Sequence, residues 1–149
     1  MAMIQLPPDF KEFLKLLNAN RVKYLLIGGY AVAYHGFPRA TGDMNIWVDM
    51  EKTNAEKVVS ALKSLGFDLP SLTPALFLKE DQIIRMGNPP YRIEISTTIS
   101  GVLFEDCYPN RIVANIGGIE TPIIDLISLK TNKKAAGRYK DLNDLENLP

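Results

Sequence analysis

Apolar residues recur along the chain at two spacings, and each spacing indicates one type of secondary structure. Apolar positions three and four residues apart share one face of a helix, whereas strict alternation places every second side chain of a strand on the same face. Helical spacing and helix stop signals predict helices over residues 7–17, 30–35, 53–65, 100–108, 125–136 and 140–148. Alternation and β-branched runs predict strands over residues 23–27, 43–49, 76–79, 82–86, 91–97, 111–116 and 119–123.

The pattern within single elements predicts which side chains point inward. Strand 43–49 places its apolar residues on one face and Asp43, Asn45, Trp47 and Asp49 on the other. Thr53 is predicted to cap the third helix, and Gly66 to end it. The last helix is expected to bury three leucines, namely Leu142, Leu145 and Leu148.

The order of these elements predicts one α+β (mixed α/β) domain over residues 1–149, with a small mixed sheet flanked by helices. A chain of 149 residues can bury roughly 70% of its unfolded surface. Gly117-Gly118 between two strands predicts a hairpin. No internal repeat or linker interrupts the pattern.

Composition removes several classes of protein. The chain has 17 basic and 17 acidic residues and 46% apolar residues, which excludes a disordered chain and a histone-like nucleic-acid binder. The single cysteine, Cys107, excludes a disulfide scaffold and a multi-cysteine metal site. The sequence contains no signal peptide and no apolar stretch long enough for a bilayer, so a cytoplasmic protein without membrane contact is expected.

Charge is nevertheless segregated along the sequence. Residues 126–140 contain five cations and no acid, and residues 43–51 contain three acids and no Lys or Arg. Local polarisation of this kind is typical of a protein that holds an anion at one place and a cation at another. The basic run is also compatible with the solvated end of a helix, where cations complement the helix dipole.

The glycine pair Gly28-Gly29 follows a strand and precedes a helix. Glycines at such a corner let the backbone approach a ligand closely, and the helix start offers unpaired N–H groups to an anion. The pair lacks the further residues of a P-loop or a dinucleotide fingerprint. A tight turn without any ligand explains it equally well.

Asp43 and Asn45 share one face of their strand, and Glu94 lies on the polar face of a later strand. If the two strands are neighbours, the three oxygen-bearing side chains form a cluster that suits a cation such as Mg²⁺. The alternative is an ordinary polar face whose acids are solvated.

The combination of these features resembles the nucleotidyltransferase superfamily related to DNA polymerase beta. The segment YLLIGGYAVAYHGFPRATGDMNIWV at residues 24–48 is similar to its small bacterial and archaeal branch, which is close to the abortive-infection (AbiEii-type) toxin nucleotidyltransferases. The likeness continues in PPYRIE at 89–94, SGV at 100–102 and KKAAGRYKDL at 133–142, and it covers nearly the whole chain.

The resemblance implies a nucleotidyltransferase fold and a role for each matching residue. Gly28 and Gly29 would cradle the triphosphate of an NTP. Asp43, Asn45 and Glu94 would hold one or two Mg²⁺ ions, or Mn²⁺ in their place, and Glu94 would help to activate the acceptor hydroxyl. The remaining phosphate-binding residues would be Arg39, Thr41, Lys133, Arg138 and Lys140.

One departure from the family pattern leaves two functions open, because Asn45 stands where the family has an acid. The first is an Mg²⁺-dependent transferase that moves an NMP group from an NTP to a hydroxyl of an RNA, a protein or a small molecule. The second is a catalytically degenerate binding module, for example a toxin–antitoxin component. Two single residues also keep a structural alternative. Asp141 either orients Lys133 or caps the last helix, and Trp47 either offers a base-stacking surface or is half-buried support.

Overall fold

A mixed six-stranded sheet is the framework of the computed structural model, which describes residues 4 and 6–149. The strands lie in the order β3-β4-β2-β1-β6-β5. They are β1 (Tyr24–Ile27), β2 (Met44–Val48), β3 (Ile83–Asn88), β4 (Tyr91–Ser96), β5 (Ile112–Ile116) and β6 (Ile119–Ile123). The predicted mixed sheet with flanking helices is confirmed.

The sheet combines antiparallel and parallel strand pairs. Three antiparallel pairs, β1 with β2, β3 with β4 and β5 with β6, are joined by two parallel pairs, β2 with β4 and β1 with β6. Central strand β1 is buried along its whole length, which explains its continuous apolar run YLLI. The predicted hairpin at Gly117-Gly118 connects β5 to β6.

Six helices surround the sheet within the described residues. Helix α1 buries the face formed by Phe10, Phe13, Leu14 and Leu17, and it packs against the third helix. The two C-terminal helices pack against each other, and their connection contains Gly137 in a left-handed conformation. The bounds are α1 (Pro8–Ala19), α2 (Gly28–Tyr34), α3 (Lys52–Leu65), α4 (Phe104–Cys107), α5 (Leu126–Ala136) and α6 (Tyr139–Asn147).

Two element predictions are wrong, and proline is involved in both places. The predicted strand at 76–79 is a 3₁₀ turn, Pro74–Leu78, that begins at the proline and buries Phe77. The predicted helix at 100–108 is reduced to α4, followed by a 3₁₀ turn, Tyr108–Asn110, which contains Pro109. Proline at the start of a turn fixes φ and removes an N–H donor, so it favours a new short turn over a continuous element.

The structure also revises three side-chain expectations, and for Trp47 it supports the structural alternative. Trp47 is 1% exposed, and its Nε1 donates to the Thr97 carbonyl at 3.2 Å. Its ring packs edge-on against Phe104. Trp47 therefore supports the core and offers no face for a base. Glu51, not Thr53, caps α3, because its carboxylate accepts from the Thr53 N–H at 3.1 Å.

The inward face of α6 is the third correction. Of the three leucines expected there, Leu148 is buried and Leu145 is half-buried, but Leu142 is 45% exposed. Asp141 and Asp144 are each 1% exposed. Carboxylates can occupy a buried helix face when cations pair with them, as Lys133 pairs with both aspartates. None of the helices in the described part of the chain has the length and apolarity needed to cross a membrane.

We expect Leu62→Ala in α3 to lower the free energy of unfolding by about 2–5 kcal/mol, because Leu62 is fully buried and its loss leaves a cavity. Leu142→Ala in α6 is the matched control and should change it by less than about 0.5 kcal/mol. Urea denaturation of both variants measures the difference. Equal losses for the two variants would contradict the burial described here.

Candidate functional site

Two rows of polar residues cross the sheet at the β2 and β4 strands. The register places Arg85 of β3 beside Glu94 of β4, Glu94 beside Asn45 of β2, and Asn45 beside Ile27 of β1. Met44 pairs with Ile93, and the residues directly before these two in sequence are Asp43 and Arg92. The condition set by the sequence is therefore met: the two strands that carry the acids are hydrogen-bonded neighbours.

The Arg92 guanidinium lies at the carboxyl groups of both Asp43 and Glu94, and Arg85 accompanies Glu94. Arg92 Nη2 donates to Asp43 Oδ2 at 3.2 Å and lies 3.9 Å from Glu94 Oε1. Arg85 Nε donates to Glu94 Oε1 at 3.1 Å. Burial alone would raise the pKa of Asp43, but hydrogen bonding with Arg92 and Glu94 outweighs it and lowers that pKa below its usual value.

The glycine corner is packed so closely that neither glycine can carry a side chain. A Cβ on Gly28 would lie 2.9 Å from Asn45, and the residue has φ +67°, a conformation that favours glycine. A Cβ on Gly29 would lie 2.6 Å from the Thr41 methyl group and 3.3 Å from Arg39 Nη1. Both glycines belong to the first turn of α2, two residues earlier than the sequence predicts.

A cavity of about 540 Å³ opens between this corner and the C-terminal helices. Gly28, Asn45 and Glu94 line its sheet side. The opposite side contains the predicted phosphate-binding cations Lys133, Arg138 and Lys140. The structure thus brings six predicted site residues to one cavity. The four other predicted residues, Gly29, Arg39, Thr41 and Asp43, are not among the residues that line it.

A buried ion network holds the cationic side of the cavity in place. Lys133 is 5% exposed, and its Nζ lies 3.3 Å from Asp141 Oδ1 and 3.1 Å from Asp144 Oδ2. Arg39 donates to both oxygens of Asp144, at 2.7 and 2.8 Å, and Arg138 Nε donates to Asp141 at 2.7 Å. Arg39 is therefore a clamp between the segment before β2 and α6, a position different from the open phosphate contact that the sequence suggested.

The same contacts decide the charge of the two aspartates. Burial alone would raise the pKa of Asp141 and of Asp144, yet both pKa values are lowered, because Arg138 hydrogen-bonds Asp141, Arg39 hydrogen-bonds Asp144, and Lys133 attracts both. Asp141 also accepts from the Arg138 N–H at 3.2 Å, so it caps α6 and holds Lys133 at the same time. The two alternatives drawn from the sequence for Asp141 are both realised.

Sequence reasoning missed three charged residues of the site: Arg85, Arg92 and Asp144. Two of them were detectable from spacing. Asp144 follows Asp141 by three residues and so shares its helix face, and Arg92 precedes Glu94 by two residues and so shares its strand face. Arg85 requires the β3–β4 register, which no local pattern fixes.

The oxygen-bearing residues fit one divalent ion better than two. Two carboxylates from adjacent strands and the Asn45 amide in register with Glu94 give hard oxygen ligands of the type that Mg²⁺ takes together with phosphate oxygens. Within residues 4 and 6–149, no three His, Cys, Asp or Glu residues come together as a metal cluster. These oxygens would therefore suit at most a single ion bound jointly with a phosphate.

Comparison with solved structures identifies the fold. A candidate nucleotidyltransferase from Thermotoga maritima superposes with a TM-score of 0.64 at 13% identity, covering 96% of this chain and 94% of that one. The lincosamide antibiotic adenylyltransferase LnuA, solved with lincomycin bound, gives a TM-score of 0.60 at 16% identity, covering 97% of this chain and 96% of that one. No family model and no curated protein matches the sequence. The chain has the nucleotidyltransferase fold, as its sequence resemblance predicts.

We expect Asp144→Asn to lower the free energy of unfolding by about 3–5 kcal/mol, because it leaves the buried Lys133 and the Arg39 clamp without one of their acids. Glu146→Gln on the exposed side of the same helix is the control and should cost less than about 0.5 kcal/mol. Thermal or urea unfolding measures both. A loss below about 1 kcal/mol for Asp144→Asn would contradict the network described here.

The lowered pKa values also predict a pH dependence of stability. Because Asp141 and Asp144 have lower pKa values in the folded chain, the unfolded chain binds protons first as the pH falls. Their contribution is complete above the unfolded value of about 4 and is lost as the pH falls through the folded values. Urea denaturation between pH 7 and pH 3 should give a steeper loss for the natural chain than for Asp144→Asn, and parallel curves would contradict this account.

Proposed function

We propose that the chain binds an NTP in the cavity and transfers its NMP group to an acceptor hydroxyl. In this reaction the acceptor oxygen forms a bond to the α-phosphorus, the bond from the α-phosphorus to the bridging oxygen of the β-phosphate breaks, and pyrophosphate leaves. One observation carries the proposal: in a nucleotidyltransferase fold, the glycine corner, Glu94 and three cations surround one cavity, and Asp43 shares the Arg92 contact with Glu94.

The glycine corner and the cationic side would bind the phosphates. Gly28 and Asn45 pack directly against each other and both line the cavity, so the backbone of the corner would border the phosphates. Lys133 is fixed between two aspartates, whereas Arg138 is 64% exposed along its side chain and Lys140 is exposed, so the latter two keep more of their charge available. Cations held in this way would stabilise the charge that develops on the leaving pyrophosphate.

Asp43, Asn45 and Glu94 would hold the divalent ion, Mg²⁺ or Mn²⁺, that accompanies the triphosphate. Such an ion withdraws charge from the phosphate oxygens and orients them for in-line displacement. Glu94 lines the cavity and would accept the proton of the acceptor hydroxyl, directly or through water. In the sheet it stands between Arg85 and Asn45, which also line the cavity.

The identity of the acceptor is the finer part of the proposal. An RNA end, a protein hydroxyl and a small molecule all supply the required oxygen, and the likeness to the abortive-infection enzymes favours the first two. The lincosamide antibiotic named for one structural neighbour favours a small hydroxylated molecule. All three classes belong in the assay.

A second function is favoured by Asn45 and by the arginine pairing of the carboxylates. Two guanidinium groups already balance the charges of Asp43 and Glu94, and a neutral amide replaces the third acid. A chain with this site can serve as a nucleotidyltransferase-fold binding module without turnover, for example within a toxin–antitoxin pair. Turnover by the unaltered chain separates the two functions.

The transfer assay incubates the chain with each α-³²P-labelled NTP, Mg²⁺ or Mn²⁺, and a panel of RNA, protein and aminoglycoside or lincosamide acceptors. We expect label transfer that falls by at least about 100-fold in Glu94→Gln, because the proton acceptor and an ion ligand are lost together. Asn45→Asp should raise the rate by at least about tenfold, because it adds an anionic ligand. Glu120→Gln, an exposed acid of β6, is the control that should leave the rate unchanged.

Calorimetry with NTP and Mg²⁺ completes the test. Nucleotide binding without transfer by either the natural chain or Asn45→Asp would support the binding module and overturn the transferase. Absence of both binding and transfer would contradict both functions.

A further inference from the structure

We infer that Arg92 is a built-in counter-ion that competes with a divalent metal ion for the carboxyl groups of Asp43 and Glu94. The inference rests on the proposed function only for the place where the ion binds. Arg92 would thus set the affinity of this chain for metal. The sheet register, the contacts of the guanidinium and the charge of the site support this role.

The register makes the arginine contact a property of the fold. Asp43 directly precedes β2 and Arg92 directly precedes Ile93 of β4, so each stands one residue before the paired Met44 and Ile93. Side chains that flank a pair on neighbouring strands lie close together. Arg92 Nη2 accordingly donates to Asp43 Oδ2 at 3.2 Å and lies 3.9 Å from Glu94 Oε1.

The contacts of Arg92 are few, so the guanidinium can be displaced. Its Nη2 makes one hydrogen bond, to Asp43 at 3.2 Å, and its buried Nε has no hydrogen-bond partner in the described part of the chain. The side chain is 35% exposed. A buried donor without a partner is unfavourable, and a rotation toward solvent would relieve it. The arginine thus stays at the carboxylates mainly through charge attraction.

The balance of charges indicates that the arginine and the ion exclude each other. With Arg85 and Arg92 in place, two positive groups offset the two carboxylates. A dication placed on the same oxygens would add two positive charges beside Arg92 and would meet its guanidinium. Asn45 provides no negative charge to offset them. Metal entry therefore requires Arg92 to leave, and its departure costs the ion part of its binding free energy.

Arg85 is less suited to this role. It contacts Glu94 alone, from the β3 side of the site, and its side chain is 53% exposed. It leaves Asp43 free. Of the two arginines, only Arg92 lies at both carboxyl groups.

Mn²⁺ titration of the full-length chain without nucleotide tests the inference, by calorimetry and by the electron paramagnetic resonance signal of free Mn²⁺. We expect Arg92→Gln to bind Mn²⁺ at least about tenfold more tightly than the natural chain, because removing a competing charge-assisted contact acts on this scale. Adding Asp43→Asn to Arg92→Gln should abolish the gain. Arg111→Gln is the matched control, since Arg111 stacks on Tyr108 and contacts neither carboxylate.

Circular dichroism and thermal melting confirm that each variant is folded. If Arg92→Gln does not fold, Arg92→Lys replaces it; the lysine keeps the positive charge but not the fork that reaches two carboxylates, so we expect an intermediate affinity. Unchanged or weaker Mn²⁺ binding in a folded Arg92 variant, or a gain that survives Asp43→Asn, would overturn the inference. A gain in Mn²⁺ affinity without any NMP transfer would sustain it while the transferase proposal fails.

Discussion

The parallel pairing of β2 with β4 is the constraint on which the candidate site depends. The register sets Asn45 beside Glu94 and Met44 beside Ile93, and it thereby brings the preceding residues Asp43 and Arg92 within hydrogen-bond distance. A shift by one residue would turn these side chains to the other face and place Met44, Ile93 and Ile95 in their position. Those three residues are buried in the core, so core packing fixes the register of the site.

The ion network around Lys133 extends this constraint to the other side of the cavity. Asp144 binds Arg39 from the segment before β2 and Lys133 from α5, while Asp141 caps α6 and binds the same lysine. The helices that carry the cations are therefore tied to the strand that carries the acids. Buried ion pairs contribute little net stability when complete and cost much when broken, so their value here is to fix geometry.

The sequence predicted what repeats locally, and it missed what depends on contacts between distant segments. Alternation located β2 and β4, and helix stop signals located Gly66 and Gly137, so the mixed sheet and its helices were foreseeable. The buried face of α6 was not, because Asp141 and Asp144 are inward only by virtue of Lys133 and Arg39, which come from other elements.

Trp47 was misplaced for a similar reason. Alternation assumes that one face of a strand meets water, but β2 is covered on both sides, and Phe104 of a separate helix closes the second.

The most direct test of the whole account is a crystal structure with Mn²⁺ and a non-hydrolysable NTP. We predict one anomalous peak between Asp43 and Glu94. We also predict that the phosphates lie beside Gly28 and that the Arg92 side chain is turned away from Asp43. A nucleotide bound elsewhere, or an ion that coexists with the Arg92–Asp43 contact, would contradict it.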